Sequence, residues 1–182
     1  MNPTQADIVA AAESVFDAHG FAATGMDRLT QAAGVSSRTL YKHVGSKTGL
    51  MVAVLRARME RFFTECSGNS VDELFFGLQR WMDTEGARGC LFLRALGETG
   101  DEQGEVSSVV AEYRNGLRAL IMRAVASEIR QEDEAVALQI LVIFEGVTST
   151  ASYLGNAAVA AGREAAAAAI AARGSTASEP TD

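Results

Sequence analysis

Hydrogen-bonding and cationic side chains are concentrated in the second half of Met26–Leu50, a stretch whose pattern predicts two short helices joined by a tight turn and the start of a third. Ser37, Arg38 and Thr39 begin a predicted helix that runs to His43, and Lys42 points to the same side one turn later. An arginine can donate two hydrogen bonds to guanine, and a hydroxyl group can bond to several base edges. We therefore expect Ser37, Arg38 and Thr39 to contact base edges in the major groove of DNA.

The elements around this helix predict a helix-turn-helix. Met26–Ala33 has helical character, and Gly34 ends it because glycine adopts the left-handed conformation without a Cβ penalty. Ser36 or Ser37 then caps the next helix, its side-chain oxygen accepting a hydrogen bond from a free backbone N–H. We also expect Ser36 to belong to the DNA-binding surface. Leu40 faces the interior of the predicted small domain.

Two flanking features suit contacts with the DNA backbone. Thr24 and Gly25 precede the first motif helix, whose N-terminal amides could receive a phosphate oxygen. Lys47 lies in the first turn of a predicted long helix, residues 47–65, that Ser46 caps. We favour a phosphate contact for Lys47 over a solvated lysine because the motif lies beside it.

The charge distribution separates a basic segment from an acidic remainder. The net charge is −7, but residues 26–62 hold seven Lys or Arg against two Asp or Glu. Residues 63–182 hold nine against eighteen. DNA would repel the acidic part, so the sequence predicts a small DNA-facing head and a larger body with another task.

The run AAGVSSRTLYKHVGSK resembles the DNA-binding signature of the TetR family of bacterial transcriptional regulators. Its setting is also similar, with a preceding amphipathic helix that ends in HGF and a long helix after Lys47. Thr4 and Asp7 have the spacing of a capping box at the start of that first helix. The match covers about the first 55 residues, and the remainder resembles the family only in length and helical character. Thr30 stands where the family usually has Ala, and Val44 where Phe is commoner. The resemblance implies that Tyr41 and His43 contact phosphate.

The whole chain is predicted to be all-α, with about nine helices, because it has only two prolines and abundant Ala, Leu and Glu. We expect a helix-turn-helix domain at residues 1–48 and a helical effector-binding and dimerisation domain at residues 49–173. The helix at about 47–65 connects them. Residues 174–182 lack apolar side chains and are expected to be disordered.

A single small head buries too little surface for selective binding, which predicts a homodimer on a palindromic operator. The apolar helix at about 132–153 and the alanine-rich helix at about 157–172 are the candidates for its interface. The alternative is that both helices belong only to the core of the body. The family resemblance supports a four-helix interface and implies repression rather than activation.

The resemblance also implies a pocket for a small-molecule effector of unknown identity in the body. Its candidate residues are large, polarisable or polar side chains from several helices: Phe75, Trp81, Met82, Phe92, Tyr113, Met122, Phe144, Glu145, Ser149 and Tyr153. Taken singly, an aromatic residue of this kind is more often part of an ordinary core. Glu145 could hold a ligand or pair with Arg94, Arg114 or Arg118. Thr148, Ser149 and Ser152 could bond to ligand or to their own backbone.

Several other classes of function lack support. Neither histidine has a nucleophile or carboxylate at motif spacing, and no phosphate-binding glycine loop or metal cluster is present, so we expect no enzyme, cofactor or metal. Cys66 and Cys90 suit a reducing cytoplasm, as buried inert thiols or, alternatively, a redox pair. The apolar run 135–144 is too short to span a membrane, and the start has no signal-peptide pattern. The alternative function is a helical ligand-binding or protein-interaction module without specific DNA binding.

Overall fold

The computed structural model describes residues 4–100 and 104–176, with side chains to residue 173. Those residues form nine α-helices and no strand, which confirms the predicted all-α class. The helices are α1 Gln5–His19, α2 Met26–Ala33, α3 Ser37–Val44, α4 Lys47–Glu65, α5 Val71–Glu85, α6 Leu91–Thr99, α7 Gly104–Ile129, α8 Glu134–Leu154 and α9 Asn156–Thr176.

The chain divides into two compact units. The first comprises the described residues up to Arg61 together with those of Cys90–Tyr113, and the second comprises Phe62–Gly89 and the described residues from Arg114 onward. Both α4 and α7 contribute residues to each unit. The first unit therefore contains more than the predicted head at residues 1–48, because α6 and the start of α7 belong to it. The functional boundary at residue 48 stays a prediction.

Local capping explains where several helices begin. Thr4 and Asp7 form the expected capping box of α1, and Ser70 and Glu73 form that of α5. The hydroxyl oxygen of Ser46 accepts from the Gly49 N–H at 2.9 Å and so caps α4.

The first unit has its core where α1, α2 and α3 meet. Phe16 and Phe21 stack with ring centroids 4.7 Å apart and are fully buried. Further fully buried side chains are Ile8, Leu29, Leu40 and Leu50. On α1 the buried face also includes Glu13, which the hydrophobic pattern did not predict.

The second unit is centred on an aromatic cluster. Phe62 makes edge contacts with Trp81 and Phe144 at centroid distances of 5.4 and 6.4 Å, and Phe75 does so with Phe144 at 5.4 Å. Helices α8 and α9 pack closely, since a Cβ added at Gly162 would lie 2.2 Å from Val147 Cγ2.

The expected start of the tail needs correction, and α8 is longer than the apolar run at residues 135–144. Helix α9 continues to Thr176, past the expected start of a disordered tail at residue 174, and residues 177–182 lie outside the described part of the chain. Helix α8 has 21 residues with a mean hydropathy of 1.5 over its most apolar window, so by length and composition alone it could cross a membrane. Core helices pass the same test, and 33% of that window is buried.

Candidate nucleic-acid interface

A tight turn joins α2 to α3 as the glycine predicted. Gly34 has φ +63° and ψ 29°, the left-handed conformation, and the Val35 N–H donates to the Thr30 carbonyl at 3.2 Å. Ser36, rather than Ser37, caps α3 by accepting from the Thr39 N–H at 3.1 Å. The geometry is that of a helix-turn-helix.

Helix α3 packs against the rest of the first unit through one face and exposes the opposite face to solvent. Leu40 is fully buried, whereas Ser37, Arg38, Lys42 and His43 are exposed. Tyr41 is also exposed, at 47%. The outer face therefore carries hydrogen-bonding and cationic groups, as expected.

Two predicted contact residues use their hydroxyl groups within the protein. Thr39 is half-buried, and its Oγ1 lies 2.9 Å from Ser36 Oγ at the start of α3. Both hydroxyls therefore also serve the cap, which leaves Ser37 and Arg38 as the freely presented groups at this end of α3.

The approach to α2 is organised by Thr24, whose side chain is fully buried and donates to the Gly20 carbonyl at 2.6 Å. Gly25 is the N-cap residue and offers no side-chain cap, so no side-chain oxygen of the cap occupies the first amides of α2. Any phosphate contact here would use backbone N–H groups rather than the Thr24 hydroxyl.

Lys47 lies beside the same loop. Its side chain is half-buried, and Nζ lies 3.4 Å from the carbonyl oxygen of Ala22, at the long end of a hydrogen bond. The contact links the first turn of α4 to the loop before α2.

Several of the positive charges in residues 26–62 are paired with carboxylates and so are less available to bind DNA than the sequence suggests. Arg56 donates to Glu112 at 2.8 and 3.0 Å. Arg58 and Arg61 both donate to Glu13 Oε1, at 2.8 and 2.7 Å.

Three exposed cations of the motif, Arg28, Arg38 and Lys42, form no ion pair among the described residues. Lys47 in the first turn of α4 forms none either, so the unpaired positive charge of residues 26–62 lies on α2, α3 and the start of α4. Arg28, an exposed cation on α2, was not among the predicted contacts; its place inside the basic segment was the available signal.

The predicted effector residues are distributed over both units. Phe92 and Tyr113 belong to the first unit and stack at 3.9 Å, nearly parallel at 3°. In the second unit Phe75, Trp81 and Phe144 lie in the aromatic core, and Met82 is also buried. Tyr153, by contrast, is 73% exposed. The described side chains of this set are therefore mostly packed against neighbours.

A cleft of about 210 Å³ lies between α7 and α8 in the second unit. It is lined by Arg118, Met122, Glu134, Ala137, Leu138 and Leu141. Only Met122 belongs to the predicted effector set, and the volume is below that of ordinary ligand pockets. Arg118 and Glu134 pair with each other at its edge.

Glu145 is half-buried on α8, and this burial raises its pKa, while Arg114 acts in the opposite direction. Of the three arginines considered, Arg94 donates to the Asp17 carbonyl and Arg118 donates to Glu134. Arg114 is the one whose charge lowers the pKa of Glu145. The hydroxyls of Thr148 and Ser152 donate to carbonyls of α8, and Ser149 is exposed.

Within the described ranges, no group of three or more His, Cys, Asp or Glu side chains is placed to hold a metal ion. Neither Cys66 nor Cys90 forms a disulfide, and Cys66 is fully buried. Burial raises the pKa of Cys66 to about 12, which suppresses the reactive thiolate.

The fold and the exposed face of α3 define a helix-turn-helix protein with an additional helical body. Residues 8–54 match the sequence profile of the bacterial regulatory proteins of the tetR family. That profile covers the helix-turn-helix and its flanking helices, so this part of the chain resembles the DNA-binding domain of the TetR family.

A similar protein of known role matches only the N-terminal part of the chain. The transcriptional activator FasR of Mycolicibacterium smegmatis is 42% identical over 53 residues, which are 29% of this chain and 24% of that protein. The aligned part thus spans about a quarter of that relative.

Solved structures share the fold over nearly the whole chain. A TetR-family regulator from Streptomyces coelicolor has a TM-score of 0.75 at 22% identity, covering 92% of this chain and 94% of its own. A TetR regulator from Legionella pneumophila has a TM-score of 0.74 at 17% identity, covering 90% and 95%.

Proposed function

We propose that this protein is a sequence-specific transcriptional repressor that binds a palindromic operator as a homodimer. The observation that carries the proposal is the outer face of α3, where Arg38 and Lys42 stand exposed and outside any described ion pair. Leu40 fixes that face by anchoring the helix from inside. DNA is the partner that such a face on an acidic protein fits.

Selection from random duplex DNA with the purified full chain tests the proposal. We expect enrichment of an inverted repeat whose half-sites lie about one helical turn, roughly 34–36 Å, or a multiple of it apart. Recovery of unrelated sequences would instead favour a helical ligand-binding or interaction module.

Two substitutions separate base reading from backbone contact. Arg38→Ala should cost about 1–3 kcal/mol on the selected site and relax the preference at one base position. Lys47→Ala should weaken selected and scrambled duplexes alike and reduce the salt slope by about 1. A base-specific loss for Lys47→Ala would contradict its assignment to phosphate.

Dimerisation through α8 and α9 is supported by the unpartnered outer surface of α8. Leu138, Val142, Tyr153 and Leu154 are 53–73% exposed in the single chain. An exposed apolar surface of this kind favours a protein interface. Val142→Glu should therefore yield a monomer in sedimentation velocity.

Leu93→Glu is the matched control for Val142→Glu, because Leu93 is an exposed apolar residue (39%) on α6 of the first unit. It should leave the dimer intact. Equal dissociation by both variants, or none by Val142→Glu, would argue against an α8 interface.

The direction of regulation is a separate part of the proposal. Repression rests on the family resemblance, while FasR is a transcriptional activator. A reporter gene placed behind the selected operator should rise when the gene for this protein is deleted. A fall would assign activation instead.

The remaining parts of the proposal concern the body and the cell. Residues 49–173 would bind a largely apolar effector, and no catalytic step is assigned to them. Screening of apolar compounds by thermal shift should yield ligands that also release the selected duplex. The proposed location is the cytoplasm, where operator DNA is available and thiols stay reduced.

A further inference from the structure

One helix outside the helix-turn-helix holds the turn that leads into it. Glu98 on α6 places one carboxylate oxygen, Oε2, 2.6 Å from the Phe21 nitrogen and 2.7 Å from the Ala22 nitrogen, so both N–H groups donate to it. One helical turn earlier, Arg94 donates from Nη1 to the Asp17 carbonyl oxygen at 2.8 Å. The two side chains thus engage the end of α1 and the turn after it.

The turn is shaped to receive this carboxylate. Gly20 has φ +82°, a conformation that favours glycine. A Cβ added there would lie 2.8 Å from Glu98 Oε1 and 2.9 Å from Oε2. Glycine therefore allows both the backbone conformation and the close approach, and successive N–H groups then converge on one anionic acceptor.

The same turn carries the start of α2. The Thr24 hydroxyl donates to the Gly20 carbonyl at 2.6 Å, and the Thr24 N–H donates to the Phe21 carbonyl at 3.4 Å. Lys47 Nζ lies 3.4 Å from the Ala22 carbonyl oxygen. Residues 20–24 therefore form one hydrogen-bonded block between Glu98 and the N-cap of α2 at Gly25.

We propose that Glu98 is a positioning residue for DNA binding, which holds the first turn of α2 in its DNA-binding orientation through the Phe21 and Ala22 amides. The inference rests on the proposed function, because it concerns affinity for operator DNA. Glu98 itself has no proposed contact with DNA. Its effect passes through the turn.

Three variants of the full chain separate the hydrogen bonds from the charge. Glu98→Ala removes the acceptor, and Glu98→Asp keeps the charge on a side chain too short to reach both amides. Glu98→Gln keeps an oxygen acceptor without the charge. Glu105→Ala is the control, since Glu105 is an exposed carboxylate of the same unit.

For the selected duplex at fixed salt, Glu98→Ala and Glu98→Asp should bind about tenfold more weakly, whereas Glu98→Gln should stay within about threefold of the native chain. Glu105→Ala should change the affinity less than about twofold. Loss of a negative charge alone would tighten binding to DNA, the opposite direction. If Glu98→Ala does not fold, the comparison of Glu98→Asp with Glu98→Gln still tests the proposal, because only the Asp variant should bind the duplex more weakly.

Amide spectra of the free protein give a readout without DNA. In Glu98→Ala the Phe21 and Ala22 amide protons should move upfield and exchange faster with solvent, while Glu98→Gln should retain part of their protection. Unchanged amides would overturn the contact, and changed amides with unchanged affinity would overturn the positioning role. Absence of selective binding by the native chain would refute the proposed function itself, whatever the amide spectra of the variants show.

Discussion

Replacement of Glu13 by Gln should strongly destabilise the first unit, because Glu13 is the counter-charge of a buried arginine. The side chains of Glu13 and Arg58 are 9% and 5% exposed, and Arg58 Nη1 lies 2.8 Å from Glu13 Oε1. Arg61 donates to the same oxygen at 2.7 Å, but its side chain is 42% exposed. After the substitution Arg58 stays buried but has lost the charge of the Glu13 carboxylate.

The expected magnitude follows from the burial of the pair. Removal of one partner of a buried ion pair costs about 3–5 kcal/mol, whereas an exposed pair contributes about 0–1 kcal/mol. We expect the lower end, about 3 kcal/mol, because the glutamine oxygen can still accept from Arg58 and because Arg61 is solvated.

Urea unfolding of the full chain, followed by far-UV circular dichroism, measures the change. All variants must be compared at one protein concentration, since dimerisation would make stability depend on it. Glu112→Gln is the matched control, because it breaks the exposed pair with Arg56 (side chains 44% and 49% exposed) and should cost under about 1 kcal/mol.

A second substitution tests the cause of the loss. Arg58→Met in the Glu13→Gln background removes the buried guanidinium that has lost the Glu13 carboxylate, and it should restore part of the free energy of unfolding. A loss of stability for Glu13→Gln as small as that for Glu112→Gln would contradict this prediction. So would a double variant whose loss of stability exceeds the summed losses of its two single variants.

Three further predictions concern the second unit. Cys66, with its pKa raised to about 12, should resist a thiol reagent at pH 8 until urea unfolds the chain, and a Cys66→Ser variant should lose that late-reacting thiol. Gly162→Ala should cost about 1–3 kcal/mol because its Cβ would overlap Val147, whereas Gly97→Ala, with nothing within 4 Å of the added Cβ, should not destabilise. Because burial raises the pKa of Glu145 above its ordinary 4.5, the folded state holds its proton more tightly, and stability falls as pH rises through that range. Glu145→Gln should thus be more stable than the native chain at pH 7 and equal to it below pH 4.5, and the opposite order in urea unfolding at the two pH values would contradict this.

Features set by neighbouring residues could be read from the sequence. The predicted bounds of α2 and α4 agree with the structure, and Gly34 ends α2 in the left-handed conformation as expected. The capping box of α1 from Thr4 and Asp7 is also confirmed. Such features depend on bonds within a few residues, where chain pattern and local chemistry suffice.

Features that depend on tertiary contacts were not predictable. The burial of Glu13 requires Arg58, 45 residues away, and the role of Glu98 requires a turn 76 and 77 residues earlier. In a helical hydrophobic pattern, a buried acid interrupts the apolar face, and the pattern contains no information about which residue pairs with that acid. For the same reason the neutralisation of Arg58 and Arg61 was invisible to a count of charges.

The candidate effector residues show a different limit. Large aromatic side chains serve cores and pockets alike, so residue type alone could not separate Phe75 in the core from Tyr153 on the surface. Their role in binding an effector stays a prediction. By contrast, the exposed residues of α3 could be chosen correctly as surface groups because Leu40 fixes the helix orientation.

Sequence-specific recognition by α3 can be measured by equilibrium binding of the native chain to the selected duplex and to a scrambled duplex of equal composition, at one near-physiological salt concentration. A regulator of the proposed kind should prefer the selected duplex by about 10³-fold or more, with two chains bound per inverted repeat. Equal affinities within a few-fold would contradict sequence-specific recognition by α3.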